Sequence, residues 1–237
     1  EVEFAWTTSW GVSTRLIGSL IMTHADDDGM VIPPRLAPSH IVIIPITFKA
    51  DDPDAILNYC HKLAADLGVI NYHGRSITVE IDNRDIRGGE KTWGWVKKGI
   101  PIRLEVGPRD MASDSVFMAR RDKGHKEKQG VDRAEFIQSV TVILDDMQQG
   151  LFDRALARRE EATKTIDSKE DFYNHFEGEG TGFVYAHFCG DPALEDEIKT
   201  DLKVTLRCIP LVGHDEEGTC IFSGKPSKQR VLWAKSY

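Results

Sequence analysis

The sequence predicts an α/β protein, and three observations carry that expectation. Short β-branched runs, such as residues 41–48 (IVIIPITF) and 101–106 (PIRLEV), are separated by segments with apolar residues at helical spacing. Strand, helix, strand, helix, strand in succession implies a sheet with parallel pairs and helices packed against it. A strongly helical stretch at about 132–166 is then followed by a second strand-and-helix pattern, and 237 residues suffice for two compact domains or one large one.

In chain order, residues 1–6 (EVEFAW) alternate like a strand and lack an initiating methionine, which points to a fragment whose remainder lies upstream. Leu16, Ile17, Leu20 and Ile21 fall at helical spacing within residues 13–23, so a mostly buried helix is expected there. Residues 24–29 (HADDDG) punctuate it, and Pro33-Pro34 forbids continuation. After the strand at 41–48, Asp51-Asp52-Pro53 caps a helix with Ile56, Leu57, Cys60, Leu63, Ala64 and Leu67 on one face, ended by Gly68. Residues 76–82 (SITVEID) read as a strand, 89–98 as a helix stopped at Gly99, and 101–106 and 115–121 as strands. Beyond the long helix come a short helix (169–176), a glycine-rich turn, a strand (183–188), a helix (193–202) and strands at 205–211, 218–222 and 230–234.

Composition excludes several classes. With 41% hydrophobic and 29% charged residues the chain is globular in type, and no run of about 18 apolar residues could span a membrane. No secretory signal opens it, and four widely spaced cysteines do not make a disulfide scaffold, so the cytoplasm is the expected compartment. The formal charge of −8 argues against indiscriminate nucleic-acid binding. Residues 84–128, however, hold twelve Lys/Arg against seven Asp/Glu, a local +5 compatible with RNA contact at one face, or equally with a solvated surface.

The block Thr7-Thr8-Ser9-Trp10-Gly11-Val12-Ser13-Thr14-Arg15-Leu16-Ile17-Gly18 places an arginine at a helix mouth behind small residues. A guanidinium beside free backbone N–H groups suits a triphosphate. Standing alone, the block fits an ordinary strand–helix junction better. It continues, though, into Gly29-Met30-Val31-Ile32-Pro33-Pro34-Arg35-Leu36-Ala37-Pro38, then Lys98-Gly99-Ile100-Pro101-Ile102-Arg103-Leu104-Glu105-Val106-Gly107-Pro108-Arg109-Asp110, and the chain closes Trp233-Ala234-Lys235-Ser236-Tyr237. In this order and at these separations the chain resembles the prolyl-tRNA synthetases of the archaeal and eukaryotic type, over essentially its whole length.

That resemblance implies a division into 1–37, the end of a class II catalytic domain; 38–145, an anticodon-binding domain with a mixed sheet flanked by helices; and 146–237, a small α/β C-terminal domain. It implies an ATP-dependent ligase that activates L-proline and transfers it to tRNA(Pro), with Mg2+ accompanying ATP and homodimerisation through a catalytic domain upstream. A non-catalytic anticodon-binding module or a regulatory homologue is the alternative. Arg15 would contact the ATP phosphates with Ser13 beside it, and Ser9, Trp10 and Gly11 would line the proline and adenylate pocket. Arg103, Arg109 and Asp110 would face the anticodon, where arginine matches the O6/N7 edge of guanine and a carboxylate accepts from N1/N2. Relatives usually carry a glutamate where Val96 stands, which puts one anticodon contact in doubt. Lys97, Lys98 or Glu90 could compensate, while Trp93 and Trp95 read as packing residues. The resemblance also implies four zinc-ligand positions in the last domain, matched here by Cys189, Leu194, Cys220 and Ser223. Two thiols fall short of a tetrahedral set, so no zinc is expected, Leu194 and Phe222 packing in its place. Gly178-Glu179-Gly180-Thr181-Gly182 precedes a strand and reads as a turn; Asp26-Asp27-Asp28-Gly29 lacks the spacing of a calcium loop; and the histidines form no metal pair.

Overall fold

The computed structural model describes residues 3–48, 50–124, 126–178, 181–213 and 216–235. The first two residues, the last two, Glu179-Gly180 of the glycine-rich turn and His125 thus lie outside the described residues. Two compact units divide the chain, Glu1–Asp153 and Arg154–Tyr237.

In the first unit, residues 3–13 form no strand, and Phe4, Trp6, Trp10 and Val12 are exposed. A strand needs a hydrogen-bonding neighbour, and this segment has none among the described residues. Helix α1 (Arg15–His24) forms where periodicity places it, but none of its residues is buried, because its apolar face meets no packing element among the described residues. The expectation of a mostly buried helix is corrected accordingly.

The elements that follow are β1 (Ile41–Pro45), α2 (Pro53–Gly68), β2 (Asn71–Tyr72), β3 (Arg75–Ser76), β4 (Val79–Ile81), α3 (Gly88–Lys98), β5 (Ile102–Val106), α4 (Pro108–Ala112), β6 (Ser115–Arg120), β7 (Lys128–Asp132) and α5 (Arg133–Glu161). The single strand expected at 76–82 is in fact the end of the β2–β3 hairpin and then β4; His73 and Gly74, both at positive φ, make its turn. The α4, β7 and hairpin elements were not foreseen.

Five strands form one mixed sheet in the order β4-β1-β5-β6-β7, with β1 parallel to β4 and β5 and the remaining pairs antiparallel. All five β1 residues are buried, so its side chains serve two faces. Ile41 and Ile43 join Ile56, Cys60 and Leu63 of α2 and Phe136, Val140, Leu144 and Met147 of α5 in the main core. Val42 and Ile44 face the other way, against Ile100 and Trp95. Asp52 caps α2 through Oδ1, which accepts the Ala55 N–H at 2.9 Å, with Pro53 at the first helical position. Gly99, at φ 75°, closes α3 in the left-handed conformation.

The second unit holds β8 (Thr163–Thr165), α6 (Lys169–Glu177), β9 (Phe183–His187), α7 (Pro192–Leu202), β10 (Val204–Cys208), β11 (Gly218–Thr219), β12 (Pro226–Ser227) and β13 (Arg230–Lys235). Its sheet runs β10-β13-β9-β8, antiparallel except for β8 with β9. Phe172, Phe176, Phe188 and Trp233 build an edge-to-face core, with Ile198 and Leu202 of α7. No helix among the described residues is long and apolar enough to cross a membrane.

Candidate nucleic-acid interface

The connections of the first unit create a crevice. β1 and β4 are parallel neighbours, yet β1 runs on into α2 on one face of the sheet and β4 into α3 on the other. Loops that leave adjacent strand ends in opposite directions open a gap at the carboxyl edge, the usual ligand position in open α/β sheets. A cavity of about 940 Å³ occupies that gap, lined by Pro45 at the end of β1 and residues 46–48 after it, and by Arg84, Asp85, Ile86, Arg87, Gly88 and Lys91 after β4.

Asp82, at the end of β4, organises the cationic wall. Its carboxylate is nearly fully buried; it accepts Arg84 Nε at 2.8 Å and Nη2 at 2.6 Å, and the Trp95 indole N–H at 2.8 Å. The Arg84 guanidinium, followed by the indole, outweighs burial and holds the Asp82 carboxyl well below the usual carboxylate range. Lys91 is buried with Nζ donating to the Asp82 carbonyl at 3.0 Å. Arg87 is exposed beside Gly88 and Gly89, where α3 begins with no side-chain cap. Three cations and uncapped helix N–H groups thus border one crevice, a setting that favours anions.

On the α3 face of the sheet a shallower groove adjoins this crevice. Ile46, Gly88, Gly89, Thr92, Trp93, Glu105 and Lys128 line a cavity of about 270 Å³, and Trp93, Lys126 and Lys128 border a further 320 Å³. Trp93 is 42% exposed and Phe117 36%, while Glu105 and Lys128 form an ion pair between them. Arg103 lies in register with Val42 and Ala119 and is 1% exposed. Among the described residues its Nε and Nη2 have no hydrogen-bond partner, and burial pushes its pKa down. An arginine left with unsatisfied donors inside a protein is costly and unusual.

The residues expected to read the anticodon are therefore not gathered at one point. Arg103 lies beneath the α3 face. Arg109 is exposed on α4, which packs toward α2 and β6, and Asp110 Oδ2 is engaged in accepting the Gly107 N–H at 2.8 Å. Val96 is buried and its carbonyl accepts from Arg121 Nε at 3.1 Å. The two tryptophans separate: Trp95 packs and bonds Asp82, while Trp93 faces the groove. Sequence reasoning did not single out Arg84, Arg87 and Lys91; basic residues beside Gly88-Gly89 at a helix start were the available signal. Ser9, Trp10, Gly11, Ser13 and Arg15 are all exposed, and among the described residues no carboxylate pairs with Arg15. The Arg15 N–H donates to Ser13 Oγ at 3.4 Å, and Thr14 provides no side-chain cap to α1.

Residues 40–142 match the family described as Anticodon binding domain, and residues 169–237 the family described as Prolyl-tRNA synthetase, C-terminal. In sequence the chain matches the C-terminal half of prolyl-tRNA synthetases. It is 53% identical over 238 residues to Proline–tRNA ligase of Bdellovibrio bacteriovorus, 50% identical over 244 residues to Proline–tRNA ligase 2 of Anaeromyxobacter dehalogenans, and 48% identical over 242 residues to Proline–tRNA ligase of Rhodopirellula baltica. These alignments cover 99%, 98% and 100% of the chain and 48%, 48% and 47% of the relatives. The chain thus spans about half the length of the curated relatives it matches, and corresponds to their C-terminal half. The sheet with its crevice lies within the stretch matched as the anticodon-binding domain.

In the domain matched as Prolyl-tRNA synthetase, C-terminal, Cys189 Sγ lies 3.5 Å from Ser223 Oγ, and Cys220 is buried in the core against which Cys189 packs. Leu194 and Phe222 pack on the aromatic core beside them. Among the described residues no three His, Cys, Asp or Glu side chains converge. Two thiols and a hydroxyl do not fit the closed four-donor set of structural zinc.

Proposed function

We propose that this chain is the distal half of a proline–tRNA ligase, which activates L-proline with ATP and Mg2+ and esterifies it to tRNA(Pro). The observation that carries the reading is the cation-walled crevice and aromatic groove on a sheet that matches anticodon-binding domains, in a chain about half identical to proteins of that name. Phosphates of the anticodon loop would lie against Arg84, Arg87 and the start of α3. An unstacked base would rest on Trp93, with Glu105 as acceptor. The unpartnered Arg103 donors would serve a guanine O6/N7 edge once Trp93 or Lys128 moves aside, and Arg109 and Asp110 would flank the loop from the end of β5. At the other end, Arg15, with Ser13, would meet the ATP phosphates at the mouth of α1 and stabilise charge on the departing pyrophosphate. Ser9, Trp10 and Gly11 would border the proline and adenylate. Homodimerisation and cytoplasmic location belong to the same reading.

Two measurements test it. The chain should bind tRNA(Pro), and Arg103→Met should weaken binding at least tenfold while changing little for a tRNA with an altered anticodon. Arg15→Ala in the full-length protein should abolish proline-dependent ATP–pyrophosphate exchange; undiminished exchange would leave only a binding module.

A further inference from the structure

The crevice at the carboxyl edge of the first unit's sheet has two chemically different sides. Pro45, Ile46 and Phe48 come from the end of β1 and the loop behind it, and Arg84, Ile86 and Arg87 from the loop after β4. Phe48 is 83% exposed, and Ile46 and Ile86 are exposed as well. Among the described residues Phe48 joins neither of the unit's two hydrophobic clusters, so its ring is held at the rim of the cavity rather than in a core. Asp82 grips Arg84 through Nε and Nη2, at 2.8 and 2.6 Å, and leaves Nη1 without a partner among the described residues. A guanidinium fixed in this way presents a directed donor to a phosphate oxygen. The crevice and the Trp93 groove are continuous, since Ile46 and Gly88 line both. A Cβ added at Gly88 or Gly89 would meet nothing within 4 Å, so open space lies in front of the backbone where the two join. Two exposed aromatic rings thus flank a bare stretch of backbone with arginines beside it, the composition of a platform for single-stranded nucleic acid.

We propose that the crevice is a second nucleotide subsite, in which the RNA base next to the one on Trp93 stacks on Phe48 against Ile86. The phosphate joining the two nucleotides lies at Gly88, between Arg84 and Arg87. Asp85, in the same lining, offers a carboxylate to an exocyclic amino group of that second base. The inference rests on the anticodon-binding reading above and adds a base to it. The ligand it requires is single-stranded RNA with two neighbouring unstacked nucleotides. A duplex, whose bases are stacked on both faces, has no ring to offer Phe48.

The test is a cycle of paired changes, read as the affinity of the whole chain for the anticodon stem-loop of tRNA(Pro). An abasic nucleotide is placed at each loop position in turn, and each RNA is titrated against the unsubstituted chain, Phe48→Ala and Trp93→Ala. Both side chains are exposed, so the variants keep the fold. Phe48→Ala should weaken binding of the intact hairpin about fivefold to tenfold, the worth of one stacked base. Removing one particular base should cost the unsubstituted chain as much and Phe48→Ala little. That position should adjoin the one that behaves so with Trp93→Ala. Arg84→Ala should weaken every RNA alike and reduce the salt dependence by about one phosphate. If every base removal costs Phe48→Ala as much as it costs the unsubstituted chain, while Trp93→Ala still couples to one position, the second subsite is overturned and the anticodon reading stands. If neither ring couples to any position, or the hairpin does not bind, both are overturned.

Discussion

Arg121 grips Asp26 across ninety-five residues of sequence, Nη1 donating to Oδ2 at 2.7 Å and Nη2 to Oδ1 at 2.5 Å. The same guanidinium donates to the Val96 carbonyl at 3.1 Å and the Gly29 carbonyl at 3.2 Å, and its side chain is 4% exposed. One buried cation thereby ties the segment after α1 to the end of α3 and to β6. Its hydrogen bonds hold the Asp26 carboxyl below the ordinary value. Arg121→Met should cost roughly 2–3 kcal/mol, less than a fully buried pair because Asp26 keeps contact with water. Asp26→Asn should cost less, and the double variant should fall short of the sum by 1 kcal/mol or more. Urea denaturation of the three variants measures this, and strict additivity would contradict the tie.

Gly99 stands where two backbones cross. At φ 75° it lets the chain turn out of α3, and a Cβ there would lie 2.6 Å from the Met30 carbonyl oxygen. The Met30 N–H donates to the Lys97 carbonyl and the Ile32 N–H to the Gly99 carbonyl, so neither strand of chain can retreat cheaply. Gly99→Ala should cost about 3 kcal/mol, one part backbone conformation and the rest collision. Gly89→Ala, with open space around it and an ordinary helical conformation, should not destabilise the fold. Thermal melts of the two proteins should therefore differ clearly.

Trp93 and Trp95 make opposite predictions. Trp95→Ala removes packing from Val42, Ile44 and Ile100 and leaves the buried Asp82 carboxylate short of one donor, so a loss of about 3–4 kcal/mol is expected. Trp93→Ala changes an exposed ring, and stability should move by under about 1 kcal/mol. Its effect should appear in RNA binding instead, five- to tenfold or more, the worth of about one stacked base. Calorimetric melts paired with tRNA titrations separate the two roles; a Trp93 variant that unfolds but binds normally would contradict the assignment.

Parts of the fold were legible because they are locally overdetermined. The IVIIP run of β1 could only be buried on both faces, and Asp52-Pro53 and Gly99 mark helix ends by their own conformational limits. β7 (KQGVD) carried no such signal, since an edge strand with no buried residue needs no apolar alternation. The hairpin strands span two residues each and α4 only five, too short for any period. Alternation misled at residues 3–6, the described part of that stretch, because pairing depends on a neighbour that sequence pattern does not supply. For the site, the basic stretch was visible as charge. That its first part lines the gap beside β1, while Arg103 lies buried, follows from the strand order β4-β1-β5, which no local pattern encodes.

His40 gives the chain a pH dependence of definite sign. The ring is fully buried; Nδ1 accepts the Thr78 N–H at 2.9 Å, Arg75 Nη2 sits 3.0 Å from Nε2, and the Tyr72 ring packs edge-on at 5.5 Å. Protonation would set imidazolium against guanidinium and remove the acceptor from Thr78. Burial first, and Arg75 second, bring its pKa from 6.5 down to about 4. Below pH 6.5 the unfolded chain takes up a proton that the folded chain refuses until about pH 4, so stability is highest above 6.5 and falls as pH drops through that window. The loss attributable to His40 is at most about 3 kcal/mol. His175, lowered in the same direction by burial and Lys164, contributes in the second unit, whereas Asp26, Asp82 and Asp145, with depressed carboxyls, lose their contributions only at lower pH. Denaturant titrations at intervals from pH 7 to 4 should show His40→Asn less stable at neutral pH but with a shallower slope than the unsubstituted chain. Parallel slopes across that range would mean His40 does not carry the effect.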